Sequence, residues 1–251
     1  MEQNTLILVL LFFLISVFYS SAGFGGGSSY LAVLAITSLA FPVIRSTALI
    51  CNIVVVSGNI LLQSRHAYMP WKRAVPLVAM SIPLAFLGGQ WPIKSHVFYL
   101  LLGITLLAAA FVMFVQTYQK EPLEGKQLSS AFSGLIGGGI GFLSGLVGIG
   151  GGIFLAPMLH FLKWDNAKKI AATASLFILA NSLAGLGGQV VRYSAHFDWY
   201  LSLILGIAVL VGGQIGARYS IRKLSLISVK RVTSVLIFAA SMKILFDQLS
   251  Y

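Results

Sequence analysis

Two glycine clusters carry the chemistry this sequence offers. Gly23-Phe24-Gly25-Gly26-Gly27 recurs as Gly148-Ile149-Gly150-Gly151-Gly152, and each cluster is followed by a short apolar stretch. Glycine permits backbone conformations that put several N–H groups on one side of a turn. A short helix starting there adds the positive end of its dipole, and the two together suit an anion. Gly25, Gly26, Gly27, Gly150, Gly151 and Gly152 are therefore candidate substrate-binding residues. The competing reading is close helix packing, which is how Gly134, Gly138, Gly141 and Gly145 look at their i,i+4 and i,i+3 spacing.

Hydroxyls and amides near these clusters fit an anion as well. Ser28 and Ser29 follow the first cluster directly. Thr47, Asn52, Ser57 and Asn59 lie in one apolar run, and Thr173, Ser175, Asn181 and Ser182 in the corresponding run of the second half. Such groups donate hydrogen bonds without fixing a charge in lipid. Ser28, Thr47, Asn52, Thr173, Ser175 and Asn181 join the candidate set; bonding between helices is the alternative role for each. Arg45 and Lys169, each ahead of a polar run, are candidate gate charges at two mouths or else interfacial anchors.

What is missing narrows the chemistry further. The six acids, Glu2, Glu121, Glu124, Asp165, Asp198 and Asp247, all fall outside the middle of apolar runs. Metal-ion and proton carriers hold such groups within the membrane. His66, His96 and His196 read as loop residues, and His160 as an interfacial residue or a proton carrier. No HExxH spacing, paired acids or Ser/His/Asp set lies within a run. Cys51 is the one cysteine, which leaves no disulfide and no cysteine-based metal site. The sequence thus offers no catalytic residues, metal site or cofactor, and the chain reads as a non-enzyme.

The elements that position these residues are membrane helices. The chain has 251 residues, 58% hydrophobic and 9% charged, with a mean hydropathy of +0.92. Soluble domains carry roughly 25% charged residues. Apolar runs fall at about 4–22, 47–63, 74–91, 97–117, 128–147, 170–190, 199–217 and 232–249. Each is near the length of about 20 residues that spans a bilayer. Two shorter stretches, about 25–41 and 149–162, follow the glycine clusters and either span or re-enter. The first run has Glu2 and no Lys or Arg before it, the wrong flank for a signal peptide, so it reads as a helix of the mature protein.

The net charge of +11 sits between apolar runs, a membrane-flanking pattern rather than a nucleic-acid surface. Letting the segments alternate sides places 13 of the 17 Lys and Arg on one side, against Arg45, Lys94, Arg192 and Lys243 on the other. Positive charge concentrates in the cytoplasm. Both termini then face outside in a multi-pass protein of the plasma (inner) membrane.

The glycine clusters repeat at an offset of 125, and Gly88-Gly89-Gln90 returns as Gly212-Gly213-Gln214 at an offset of 124. The expected fold is all-α, with two inverted-topology repeats of five helical elements: eight full spans plus two short or re-entrant helices broken by glycine. The first repeat covers 1–120, a cytoplasmic linker 121–127, and the second repeat 128–251. Inverted repeats with broken helices are the layout of secondary transporters, whose substrate sits between the halves near the midplane.

Gly148-Ile149-Gly150-Gly151-Gly152, then Ala156-Pro157-Met158-Leu159, then Lys169-Ile170-Ala171-Ala172-Thr173-Ala174-Ser175 resembles the signature of the sulfite exporter TauE/SafE family. The resemblance covers both halves. The first half departs from it at Ser28-Ser29-Tyr30-Leu31-Ala32, which lacks the proline, and at Asn52. It implies a multi-pass carrier exporting sulfite, sulfonates or related sulfur oxyanions by alternating access, with both glycine turns and Thr173–Ser175 near the substrate. The alternatives are an anion channel or uniporter of the same fold, or a non-transporting membrane subunit. The partners are then a small anion and the lipid bilayer, with no nucleic acid; the oligomeric state stays open.

Overall fold

A computed structural model describes residues 2–21, 23–37, 39–65, 69–116, 128–193, 197–220 and 226–249. The linker 121–127 lies outside the described residues, as do Lys120, Arg222, Lys223, His66 and His196. Ten α-helices make up the architecture among them: α1 (Glu2–Ser21), α2 (Gly27–Ala35), α3 (Phe41–Arg65), α4 (Trp71–Gln90), α5 (Ser95–Gln116), α6 (Ser130–Val147), α7 (Gly152–Phe161), α8 (Ala167–Tyr193), α9 (Trp199–Ser220) and α10 (Leu226–Leu249).

Of the eight full spans expected, six are long and apolar enough to cross a membrane among the described residues: those in α3, α4, α5, α6, α8 and α9. Thr5–Ser21 of α1 is a shorter apolar helix, and α10 has 24 residues. The two short pieces, α2 and α7, have 9 and 10 residues, so they reach only roughly 14–15 Å. One boundary differs instructively. The apolar run was expected to open at 47, after Arg45, yet α3 begins at Phe41 and carries Arg45 inside it, fully buried.

Large apolar side chains face outward, among them Phe111, Leu135 and Phe246, each roughly 70% exposed. Arg45, Asn52 and Asn181 are fully buried. This polarity is reversed from that of a water-soluble fold and matches a lipid surround.

Glycines set the close approaches between helices. Along α6, Gly137, Gly141 and Gly145 lie against the Leu77, Ser81 and Ala85 carbonyls of α4, so the two helices run parallel. Gly212 and Gly216 of α9 lie in the same way against the Phe13 and Val17 carbonyls of α1. The repeated Gly-Gly-Gln does one job twice. Gly88 meets Phe142 of α6 while Gly89 meets Gly185 of α8; Gly212 meets Phe13 of α1 while Gly213 meets Val55 of α3.

The remaining principal pairs are α4 with α8, α3 with α9, α3 with α8 and α5 with α10; α2 rests on α3 and α10, and α7 on α8 and α5. Leu49 lies beside Gly185, whereas Val56 and Ile178 meet at Gly25, so α3 and α8 cross in opposite directions.

Candidate functional site

Both short helices begin on a left-handed glycine. Gly26 caps α2 at φ 97° and Gly151 caps α7 at φ 81°. Gly23, Gly148 and Gly150 are also left-handed, at 80°, 87° and 84°. A side chain is strained there, so residue type and turn geometry explain each other. The first N–H groups of a helix have no acceptor within it. In α2 the first backbone bond back to the cap is donated by the Tyr30 N–H to the Gly26 carbonyl, and in α7 by the Phe154 and Leu155 N–H groups to Gly151.

The turn carbonyls are occupied from the side by other helices. Ser175 of α8 donates to the Gly23 carbonyl, Asn59 of α3 to the Phe24 carbonyl at 3.2 Å, and Asn52 of α3 to the Ile149 carbonyl at 3.0 Å. Three carbonyls of the two turns are thus satisfied by side chains of other helices. A Cβ on Gly27 would sit 2.5 Å from the Ile149 carbonyl, so the two turns touch. The starts of the two short helices therefore lie close together, and a helix N-terminus suits an anion.

A small, partly open cavity lies at this point. Its polar edge consists of Gly25, Gly26, Gly27, Ser28 and Tyr19; its apolar wall includes Phe24, Met113, Ile153, Pro157 and Ile178, and Gly152 completes the second turn. Pro157 has no N–H for the Ile153 carbonyl, which loosens α7 beside the cavity. Behind the turns, buried polar atoms have no hydrogen-bond partner among the described residues: Asn52 Oδ1, Ser182 Oγ and Ser144 Oγ; both amide atoms of Asn181 on α8 are in the same condition. A Cβ on Gly150 would meet Ser182 Oγ at 2.9 Å and Asn52 Nδ2 at 2.7 Å, which places two of these side chains against the second turn. Unsatisfied polar groups in this position cost stability unless a polar guest or water completes them.

The other expected site residues are distributed as follows. Gly150 and Gly151 form the turn but face Asn52, Ser182, Phe177 and Ser144 rather than the cavity. Thr47 pairs with Ser202 of α9 at 3.2 Å, and Thr173 donates to the Lys169 carbonyl one turn back in its own helix. Arg45 is fully buried; its Nη2 donates to the Gly145 carbonyl at 2.8 Å and the Gly89 carbonyl at 3.4 Å, at the C-terminal turns of α6 and α4. Those helix ends carry partial negative charge and suit a cation. The Lys169 side chain is 42% exposed and pairs with Asp165, which also takes Arg73 Nη1 at 2.6 Å.

Tyr19 and Met113 line the cavity without any sequence signal that marks them. Tyr19 reaches Ser28 and Ser29 from another helix, across the glycine turn, so no helical period links them. Asn59 and Ser182 belong to the polar sets of α3 and α8, but only the fold shows which turn each one serves.

Comparison with known proteins finds membrane transporters. The family model described as sulfite exporter TauE/SafE matches residues 8–244. The chain is 31% identical to probable membrane transporter protein y4hK of Sinorhizobium fredii over 254 residues, 98% of this chain and 100% of that protein. It is 23% identical to probable membrane transporter protein MJ0441 of Methanocaldococcus jannaschii, covering 84% of this chain and 85% of that one. Probable membrane transporter protein YunE of Bacillus subtilis is 24% identical over 64% of this chain and 63% of its own. No solved structure matches the chain.

Proposed function

The chain belongs to the sulfite exporter TauE/SafE family, membrane transporters and not enzymes, and from that premise we propose that it exports small sulfur oxyanions such as sulfite or sulfonates by alternating access. The observation that carries the reading is that the first residues of α2 and α7, Gly27 and Gly152, line one cavity, with three turn carbonyls occupied by Asn52, Asn59 and Ser175. An anion there meets backbone N–H groups and hydroxyls, and none of the residues lining the cavity is charged. Such a site holds an anion loosely enough to release it, as a carrier must.

Two inverted repeats, 1–120 and 128–251, are the moving parts in this reading. The pattern of helix contacts supports it. Exchanging α1 with α6, α2 with α7, α3 with α8, α4 with α9 and α5 with α10 turns each principal packing pair into another of the set, or, for α3 with α8 and α5 with α10, back into itself. The opposite directions of α3 and α8, which correspond in that exchange, favour the inverted relation. Transporters built this way rock one repeat against the other around a central site. The protein then works in the plasma membrane with both termini outside.

Purified protein in proteoliposomes, tested for efflux of sulfite, sulfate, thiosulfate and methanesulfonate, checks the proposal. Saturable, mutually competitive flux of at least one of these anions is expected. Unitary currents would instead identify a channel, and no flux of any would remove the anion reading.

A further inference from the structure

We propose that Tyr19 is a specificity-determining residue, the side-chain donor that grips an oxygen of the anion in the cavity; this rests on the anion-carrier reading above. Tyr19 lines the cavity next to Ser28 and is 6% exposed. Its hydroxyl lies 2.8 Å from Ser29 Oγ and 3.3 Å from Ser28 Oγ. Three hydroxyls carry three protons, and the two contacts among them use two. One proton is left to donate outside the triad, and Tyr19 and Ser28 are the members that face the cavity.

The serines behave unusually here. Ser16, Ser21, Ser46, Ser57, Ser81 and Ser241 each donate to a backbone carbonyl three or four residues back, the common habit of serine in helices. Ser28 and Ser29 turn to Tyr19 instead. For them the carbonyls behind belong to the glycine turn, where Phe24 already accepts from Asn59 and Gly26 from the Tyr30 N–H. Tyr19 thus draws both hydroxyls away from the backbone at the first turn of α2, and Ser28 is left facing the cavity beside it. The ligand this fits is an anion with acceptor oxygens, held by N–H groups on one oxygen and an O–H on another.

The test measures sulfite KM and Vmax in proteoliposomes, with melting of the ligand-free protein as the folding control. Tyr19→Phe should raise KM about tenfold, the size of one hydrogen bond to a charged acceptor, at unchanged Vmax. Ser29→Ala leaves Tyr19 and Ser28 with one contact and one spare proton, so its KM should stay within about twofold. Equal effects of the two variants, or an unchanged KM in Tyr19→Phe, would overturn the assignment. If Tyr19→Phe melts early, 3-fluorotyrosine at position 19 decides, because its stronger donor must lower KM; no change or a rise overturns the proposal. Wild-type protein that neither binds nor carries any anion of the panel overturns the carrier reading along with this one. Wild-type flux with an indifferent Tyr19 overturns only this one.

Discussion

Asn52 Nδ2 donates to the Ile149 carbonyl at 3.0 Å while its Oδ1 rests against Gly25, so one amide from α3 touches both glycine turns. It is the strut that fixes their separation. Asn52→Leu keeps the branched outline, with some added bulk, and removes the donor, leaving a buried carbonyl unsatisfied at about 1–3 kcal/mol. The expected outcome is a lower melting temperature and sulfite flux reduced tenfold or more. Unchanged melting and flux would show that the turns hold their places without it.

The glycines divide by what a Cβ would meet, and each class predicts a different failure. Gly26→Val and Gly151→Val force a β-branched residue into left-handed backbone at a cost of order 1–3 kcal/mol, and should abolish transport while folded protein remains. Gly145→Ala drives a methyl into the Ala85 backbone and should reduce yield and melting temperature sharply. Gly139, with open space around it, should accept Ala without loss. Gly138 meets only the movable end of Leu84 at 2.7 Å, so it should lie between these. Expression and melting of the set, beside flux, separate site glycines from packing glycines.

The repeated clusters were legible in the sequence because the backbone conformation they need is local and only glycine supplies it cheaply. Their contacts were not. Asn52, Asn59 and Ser175 serve turn carbonyls on segments 35 to 152 residues distant, and no periodic pattern carries that information. Thr47 and Thr173 look alike in sequence to Ser175, yet one binds Ser202 and the other its own helix. Arg45 reads as a charge at a membrane mouth because hydropathy windows stop at charges; two helix C-termini that bury it come from α4 and α6.

Arg73 ties the start of α4 to the loop between α7 and α8. Its guanidinium stacks on Trp164 at 4.3 Å and reaches Asp165 at 2.6 Å, and Lys169 joins the same carboxylate. Asp165 is nearly buried and faces both cations, so Asp165→Asn leaves two like charges together. With Arg73 and Lys169 partly exposed, the loss should be about 1–3 kcal/mol, seen as earlier melting that high salt diminishes. Arg73→Lys should lose the stacking and the forked geometry and fall between. Equal melting of all three would assign the cluster no role in holding the segments together.

Topology is testable with single cysteines. Cys51 is fully buried, and Cys51→Ser clears the background altogether. In that background Glu2→Cys should react with an impermeant thiol reagent added outside, and Gly125→Cys only after permeabilisation. The reverse pattern would sink the inverted arrangement together with the charge count behind it.

The driving force follows from where the acids are. Asp165 is engaged by Arg73 and Lys169 just ahead of α8, and Asp198 accepts from the Leu201 N–H at 2.9 Å as it opens α9. Both carboxylates hold helix ends, which removes them as proton relays through the membrane interior. An anion leaving the cytoplasm needs no relay, because the inside-negative potential already favours its exit. Each elementary charge gains about 2.3 kcal/mol per 100 mV, so a doubly charged anion gains roughly 4–5 kcal/mol. That equals more than about a thousandfold concentration ratio at equilibrium, at about 1.4 kcal/mol per factor of ten. We predict electrogenic efflux: imposing an inside-negative potential across sulfite-loaded proteoliposomes should accelerate release, whereas a pH gradient at zero potential should change it little. A strict requirement for a proton gradient, with no response to voltage, would falsify this mechanism.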